Sequence, residues 1–163
     1  MSVRHQVDQQ LADLSEQNAV RLSLDDDGIC PIEFEDGRHG FVYVPPTDNL
    51  VILCMSVAPV LLDEPGMLFG HLLQLNYLDD QTQGAALCLD AGESEIFLRY
   101  SLPASRLDHD GVARLLGALD ERASALAAYL SDWQRKRSQA DGDEDDTAEQ
   151  LDDMTRPDPR HFV

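Results

Sequence analysis

The sequence predicts an α+β fold in which helices pack against one antiparallel sheet. Short segments that alternate apolar and polar residues indicate strands, and three longer segments repeat apolar residues every three or four positions, as helices do. The predicted order is α-β-β-β-α-β-β-α, and because helices and strands do not alternate one for one, antiparallel pairing is favoured. A chain of 163 residues can bury enough surface for one core without disulfides or metals.

Each element in the first half follows from its own pattern. A helix is predicted over residues 3–17, where Val7, Leu11 and Leu14 recur at helical spacing. An Asp-Asp-Asp-Gly turn then leads into an alternating strand, and Pro31 within it favours a sheet edge, since proline donates no main-chain hydrogen bond. The third strand is apolar on both faces, which predicts cover on both sides. The three predicted strands are residues 30–34, 40–44 and 50–57.

The second half begins with a predicted helix over residues 65–77, whose apolar face is wide and whose first turn accommodates Pro65. Two alternating strands, 84–90 and 95–102, follow and are joined by a short acidic turn. The last helix, over 108–137, has one continuous apolar stripe. The stripe comprises Val112, Leu115, Leu116, Leu119, Ala123, Leu126, Leu130 and Trp133.

Charge separates the chain into two predicted parts. It holds 31 acidic and 12 basic residues, a net charge of −19, which argues against binding to nucleic acid or to anionic membranes. Residues 138–163 are rich in Asp and Glu and have few large apolar side chains, so we expect a disordered acidic tail. Residues 1–137 are predicted to form the folded α+β domain.

No pattern of catalytic or metal-binding residues is recognisable. The carboxylates cluster in turns and in the tail, and the five histidines have no metal-ligand spacing. Cys30, Cys54 and Cys88 lie in predicted strands, where free thiols in a reducing cytoplasm behave as small apolar side chains. We therefore expect no enzyme, metal or cofactor. The N-terminus has no signal-peptide pattern and no segment is long enough to span a membrane, so a cytoplasmic location is expected.

The segment LLQLNYLDDQTQGAALCLDAGESEIFLRYSLP, residues 72–103, is the most informative. In it leucines precede an asparagine, a glycine opens an alternating strand, an acidic turn follows, and a second strand ends in Leu-Pro. In this pattern, in charge and in element order, residues 3–137 resemble the class I type III secretion chaperones of the Tir-chaperone (CesT-like) family. The matching positions are Leu72, Leu73, Leu75, Asn76, Gly84, Leu87, Leu89, Asp90, Ile96, Leu98, Leu102 and Pro103. The acidic tail departs from the family pattern.

The resemblance implies a homodimer in the bacterial cytoplasm that binds the N-terminal chaperone-binding segment of secreted effectors. It implies no catalysis and no ATP, and the secretion ATPase is a further expected partner. The implied dimer interface lies on the second helix and the next strand, at Met67, Leu68, His71, Leu72, Leu75, Ala86 and Cys88. The implied effector-binding residues are Val7, Leu11, Leu14, Ile32, Phe34, Phe41 and Tyr43. Every one of these effector-binding candidates is equally suited to the core.

Two alternatives remain open from the sequence. The first is an acidic regulatory or decoy protein that sequesters a basic partner, and its binding would collapse with salt because exposed charges are screened. The second is an enzyme with an unrecognised carboxylate site, for which the sequence offers no constellation.

Overall fold

The computed structural model describes residues 2–155 except 19, 35, 47–48, 61–64, 79–81, 91 and 93. The helices are α1 (Val3–Asn18), α2 (Pro65–Leu78) and α3 (Gly111–Thr155), with a short 3-10 turn at Ala104–Arg106. The strands are β1 (Ile29–Glu33), β2 (His39–Tyr43), β3 (Leu50–Pro59), β4 (Ala86–Asp90) and β5 (Glu95–Pro103). The α+β class and the element order predicted from the sequence are confirmed.

The five strands form one antiparallel sheet in the order β1-β2-β3-β5-β4. β1, β2 and β3 are neighbours in both sequence and space, whereas β5 inserts between β3 and β4. The chain therefore leaves the centre of the sheet through α2, returns as the edge strand β4, and turns back into the sheet as β5. A bulge between Ser56 and Ala58 shifts the pairing of β3 with β5.

One face of the sheet forms the main core. Cross-strand pairing places alternate residues of every strand on this inner face, and at Val42, Leu53, Met55 and Leu98 the side chains are fully buried. In α3, Val112, Leu116, Leu119, Ala123 and Leu126 are buried at spacings of four and three, as the apolar stripe predicts. Helix α3 lies over this face, since its Leu115 and Leu119 share a cavity with Tyr100 of β5.

Polar side chains fix the helices to the rest of the fold. Gln10 of α1 is buried, donates to the Asp108 carbonyl at 2.8 Å and accepts from the Val112 amide at 2.9 Å. Arg38, in the β1–β2 connection, pairs with Asp120 of α3 at 2.8 Å and with Asp36 at 2.7 Å. These contacts attach α1 and the first hairpin to α3.

The chain forms two compact units, Met1–Ala127 and Ala128–Val163, and the boundary between them falls within α3. In the second unit, Asp132 pairs with Lys136 at 2.7 Å and with Arg135, and the Arg137 guanidinium lies over the Trp133 ring. The predicted end of this helix near Arg137 differs from its observed end at Thr155. The apolar stripe stops earlier, but the next proline is Pro157, and no residue before it is a strong helix breaker except Gly142.

The disordered tail over 138–163 and the domain boundary at 137 stay predictions. Residues 156–163 lie outside the described part of the chain.

Candidate functional site

Helix α2 has an apolar face that the other described residues leave exposed. Gly66, Gly70, Leu73 and Tyr77 follow one another at spacings of four, three and four, so they share one side of the helix. Leu73 is 69% exposed and Tyr77 is 87% exposed. With Met67 beside them at 44% exposure, these five residues form what we call the α2 outer face.

Because glycine has no side chain, Gly66 and Gly70 leave the α2 outer face shallow as well as apolar. A Cβ atom built at either Gly66 or Gly70 would meet nothing within 4 Å, so the main chain is open to the surface there. The helix sequence PGMLFGHLLQLNYL contains no Asp, Glu, Lys or Arg. Burial lowers the pKa of the His71 imidazole, which favours its neutral form. An uncharged helix with exposed Leu and Tyr is typical of a surface that another chain covers.

The other side of α2 attaches to the sheet. Leu68, Leu72 and Leu75 are buried. The Asn76 amide accepts a hydrogen bond from the Leu87 N–H at 2.8 Å and donates to the Leu87 carbonyl at 3.1 Å. A side-chain amide thus takes the place of a neighbouring strand at the outer edge of β4, which fixes the orientation of α2.

The predicted dimer-interface residues differ in how far they are exposed. Leu68, Leu72 and Leu75 are buried within the single chain, whereas Met67 is exposed and His71, Ala86 and Cys88 are half-buried. Sequence reasoning missed Leu73 and Tyr77, and it also missed Gly66, Gly70 and Leu89, which is 45% exposed on the edge strand. The Gly-x-x-x-Gly spacing and the absence of charged residues from α2 could have indicated the exposed residues of this helix.

A second apolar cluster lies on the outer face of the sheet, opposite the main core. Phe41 and Tyr43 of β2 are half-buried and pack on a buried group of Ile52, Cys54 and Phe97. The ring centroids of Phe41 and Phe97 are 6.2 Å apart. Both Phe41 and Tyr43 are predicted effector-binding residues, and the structure brings them together on one surface.

Polar groups border this cluster on one side. His39 stands edge-on to the Phe97 ring with centroids 5.5 Å apart, and its Nε2 atom lies 2.9 Å from a Glu95 carboxylate oxygen. The His39 main-chain N–H donates to the Ser56 hydroxyl at 3.1 Å. Burial raises the pKa of the Cys54 thiol to about 11, so this sulfur is protonated and apolar rather than a reactive thiolate.

The remaining predicted effector-binding residues lie elsewhere. Val7, Leu11 and Ile32 are buried and are part of the core. Leu14 is half-buried on α1, and Phe34 is half-buried beneath the Arg38 guanidinium at 5.8 Å. The seven candidates therefore do not form one continuous surface.

Both edges of the sheet are partly closed to an added strand. On β1 the Ile29 carbonyl accepts from the Asp25 N–H at 2.8 Å, and the Ile29 N–H donates to the Asp25 carboxylate at 2.8 Å. Pro31 has no N–H to offer, and on β4 the Leu87 main chain is taken by Asn76. Partner binding through side chains on a face is favoured over binding through main-chain pairing at these positions.

Within the described residues, no group of three or more His, Cys, Asp or Glu side chains could hold a metal ion. All three cysteines are free; Cys30 and Cys54 are buried and Cys88 is half-buried. In the part of the chain that the structure describes, no helix combines the length and apolarity that a membrane crossing requires.

Comparisons with known proteins identify a matching family and similar folds. The model of the Tir chaperone protein (CesT) family matches residues 9–127. A search of the curated proteins finds no match.

Among solved structures, a chain of the ExsC–ExsE complex is similar, with a TM-score of 0.69 and 18% identity over 78% of this chain and 96% of that one. A chain of the HopA1–SchA chaperone–effector complex has a TM-score of 0.62 and 19% identity over 77% and 95%. A chain of the ExoU–SpcU heterodimer from the type III secretion system of Pseudomonas aeruginosa has a TM-score of 0.54 and 20% identity over 75% and 95%. At these identities the likeness is one of fold.

Proposed function

Because the chain belongs to the Tir chaperone protein (CesT) family, we propose that it is a type III secretion chaperone. It binds the N-terminal chaperone-binding segment of one or more secreted effectors and keeps that segment non-globular and competent for secretion. It does so as a homodimer in the bacterial cytoplasm, without ATP and without catalysing a reaction. The secretion ATPase is the partner to which it presents its client.

The observation that carries this proposal is the pair of uncovered apolar surfaces on a strongly acidic chain. The α2 outer face and the Phe41–Tyr43 cluster are both suited to contact with another polypeptide, and they lie on different elements. Of the similar structures, one is a chaperone–effector complex and another is a heterodimer from a type III secretion system. A molecule that binds a second copy of itself through one surface and a client through another is consistent with the two apolar surfaces and with these two complexes.

The α2 outer face suits a two-fold homodimer. In such a dimer the same patch meets itself, so the glycines of one helix receive the Leu73 and Tyr77 side chains of the other. The bare main chain at Gly66 and Gly70 allows two helices to approach closely. No Asp, Glu, Lys or Arg is buried at this contact, because α2 has none.

The remaining surfaces suit an extended client. A segment that wraps around a chaperone loses conformational entropy on binding, and it offsets that loss by contacting a large area. Half-buried aromatic residues such as Phe41 and Tyr43 supply contact area, and the net charge of −19 attracts basic stretches of the client.

The test is calorimetric titration of the protein with the N-terminal segment of effectors encoded near its gene, with the folded remainder of the same effector as the matched control. We expect one N-terminal segment to bind while the remainder does not. Binding should persist at high salt, because apolar contacts are not screened. The bound segment should keep the narrow amide dispersion of an unfolded chain in its NMR spectrum.

Two results would contradict the proposal. Failure of every N-terminal segment to bind would remove the chaperone function. Binding that disappears at high salt would favour the acidic decoy instead.

A further inference from the structure

One arginine lies on the face of the sheet that carries the Phe41–Tyr43 cluster. Arg99 of β5 is the cross-strand partner of Cys54 on β3 and of Ala86 on β4. Because side chains directly opposite each other in a sheet point to the same face, Arg99 shares its face with Cys54, which belongs to the cluster. Within the five strands, all of whose residues the structure describes, Arg99 is the only Lys or Arg. A chain that lies on this face therefore meets one guanidinium.

Arg99 lies close to the aromatic residues of the cluster. Phe41 on β2, Cys54 on β3 and Arg99 on β5 form one row of cross-strand partners. Since neighbouring strands lie about 4.8 Å apart, the main chains at Phe41 and Arg99 are about 10 Å apart. Phe97 lies two residues before Arg99 on the same strand, and therefore on the same face. A bound segment can thus pack on the aromatic rings and reach the guanidinium at the same time.

The charge of Arg99 has no counter-ion among the described residues. Arg38, Arg114 and Arg135 each form an ion pair with an aspartate. The exposed Arg99 guanidinium forms neither an ion pair nor a hydrogen bond within the part of the chain that the structure describes. Burial raises the pKa of the Cys54 thiol, and the Arg99 charge acts in the opposite direction, so the guanidinium lies near this sulfur. The cation is therefore available to an anion from outside this chain.

Covering the cluster makes a partner for Arg99 necessary. A segment that packs on Phe41 and Phe97 also removes water from the guanidinium, and a charge that loses water without gaining a counter-ion costs free energy. A carboxylate of the segment offsets this cost, because it accepts two parallel hydrogen bonds from a guanidinium. The outer face thus favours an acidic residue at one position, although the net charge of −19 favours basic stretches elsewhere.

Strand geometry determines where that acidic residue lies in the segment. In an extended chain, residues two apart point to the same side and are about 6.8 Å from each other. We propose that Arg99 binds a carboxylate of the bound effector segment, two residues from an apolar side chain that packs on the Phe41–Tyr43 cluster. That the occupant is an effector segment rests on the proposed function. The preference for an acidic residue beside an apolar one rests on the surface itself.

Three capped peptides test this preference: acetyl-Glu-Ser-Phe-Ser-Glu-amide and its counterparts with Gln or Lys in place of both Glu residues. The two Glu positions allow either chain direction to place a carboxylate at Arg99. Each peptide is titrated into the full chain labelled with nitrogen-15, at high salt so that distant charges are screened. We expect the Glu peptide to shift the Arg99 Nε–H signal and the Phe41 and Cys54 amide signals saturably. It should bind about fivefold more tightly than the Gln peptide, as a partly exposed ion pair allows.

Charge variants identify the group responsible for the preference. Arg99→Gln should abolish the preference for the Glu peptide, and Arg99→Glu should reverse it in favour of the Lys peptide, because the sign of the local charge changes. Arg106→Gln, at an exposed arginine outside the strands, is the matched control and should keep the preference. Equal binding of the Glu and Gln peptides to the wild-type chain would overturn the proposal, as would an unchanged preference in Arg99→Gln.

The effector segment supplies the final comparison. A segment that binds the wild-type chain should bind Arg99→Gln about fivefold more weakly, and replacing its acidic residue by Gln should remove that difference. If the peptides behave as expected but the segment binds both proteins equally, the assignment of Arg99 to the effector is wrong while the chaperone function stands. If Arg99→Glu converts a dimer into a monomer in light scattering, this face binds a second copy, and the assignment is also wrong. If no segment binds the wild-type chain, the chaperone function fails, and the occupant assigned here fails with it.

Discussion

At the scale of single residues, buried polar groups with complete hydrogen bonding position the elements of this protein. Gln10 is 7% exposed, yet its amide satisfies two main-chain groups at the start of α3. One of them, the Val112 N–H, belongs to the first turn of a helix, where no partner within the helix exists. Periodicity identified Val7 and Leu11 as apolar positions of α1, but it gave no reason to select Gln10, because the partner lies about a hundred residues away.

Replacing Gln10 should therefore destabilise the fold. Gln10→Ala leaves the buried Val112 N–H without its partner, and we expect a loss of about 2 kcal/mol in the free energy of unfolding. The matched control is Gln9→Ala, at the exposed neighbouring position, with an expected change below about 0.5 kcal/mol. Urea denaturation followed by circular dichroism measures both. Equal losses in the two variants would show that Gln10 does not fix α1 to α3.

The Cys54 thiol gives stability a specific dependence on pH. Its pKa is raised from 9.0 to about 11, chiefly by burial, so the folded state keeps the proton that the unfolded chain releases near pH 9. This contribution is fully present below pH 9 and is lost as pH rises from 9 toward 11. Wild-type stability should fall by about 2 kcal/mol more than that of Cys54→Ala over this interval. Parallel pH profiles of the two proteins would contradict the assignment.

At the scale of elements, the sequence predicts which segments form helices and strands better than it predicts which face of each is covered. β1, β2 and β5 lie within one residue of their predicted bounds. Apolar and polar residues alternate with a period of two in these strands, and turn residues mark where the alternation ends. β4 begins at Ala86 rather than at Gly84 because a turn, closed by the hydrogen bond from the Ala85 N–H to the Thr82 carbonyl, takes residues 82–85. In α2 leucines occur all round the helix, so periodicity cannot distinguish buried Leu72 from exposed Leu73.

The link between α2 and β4 depends on one side chain. Asn76→Ala removes both hydrogen bonds to Leu87, so the Leu87 N–H and carbonyl lose partners that are part-buried. We expect a loss of about 2 kcal/mol and faster hydrogen exchange at the Leu87 amide. Asn18→Ala, at an exposed position on α1 where the amide bonds only within its own helix, is the control. Unchanged exchange at Leu87 would show that α2 is held by its leucines alone.

At the scale of the whole molecule, the distribution of apolar surface determines how the protein associates. The main core forms within the single chain, with the inner face of the sheet almost fully buried. Asp25, Pro31 and Asn76 protect the sheet edges, which discourages strand-to-strand aggregation. Apolar surface remains on the α2 outer face and on the outer face of the sheet.

Function follows from these surfaces and not from the fold by itself. One architecture serves several activities, so the function has to be argued from the surfaces that this chain presents. The family could be identified from the sequence because its pattern of leucines, asparagine, turn and paired strands lies in one continuous segment, residues 72–103. The apolar cluster of Ile52, Cys54 and Phe97 beneath Phe41 and Tyr43 could not, since its residues come from three strands that only folding brings together.

The most direct test is the mass in solution by multi-angle light scattering, for the protein alone and with an effector N-terminal segment. We expect a dimer of twice the 18.1 kDa chain that gains one segment. Leu73→Glu with Tyr77→Glu should give a folded monomer, because like charges would meet across a self-complementary contact, whereas Ala125→Glu at an exposed position of α3 should remain dimeric. A wild-type monomer that gains no segment would contradict the account.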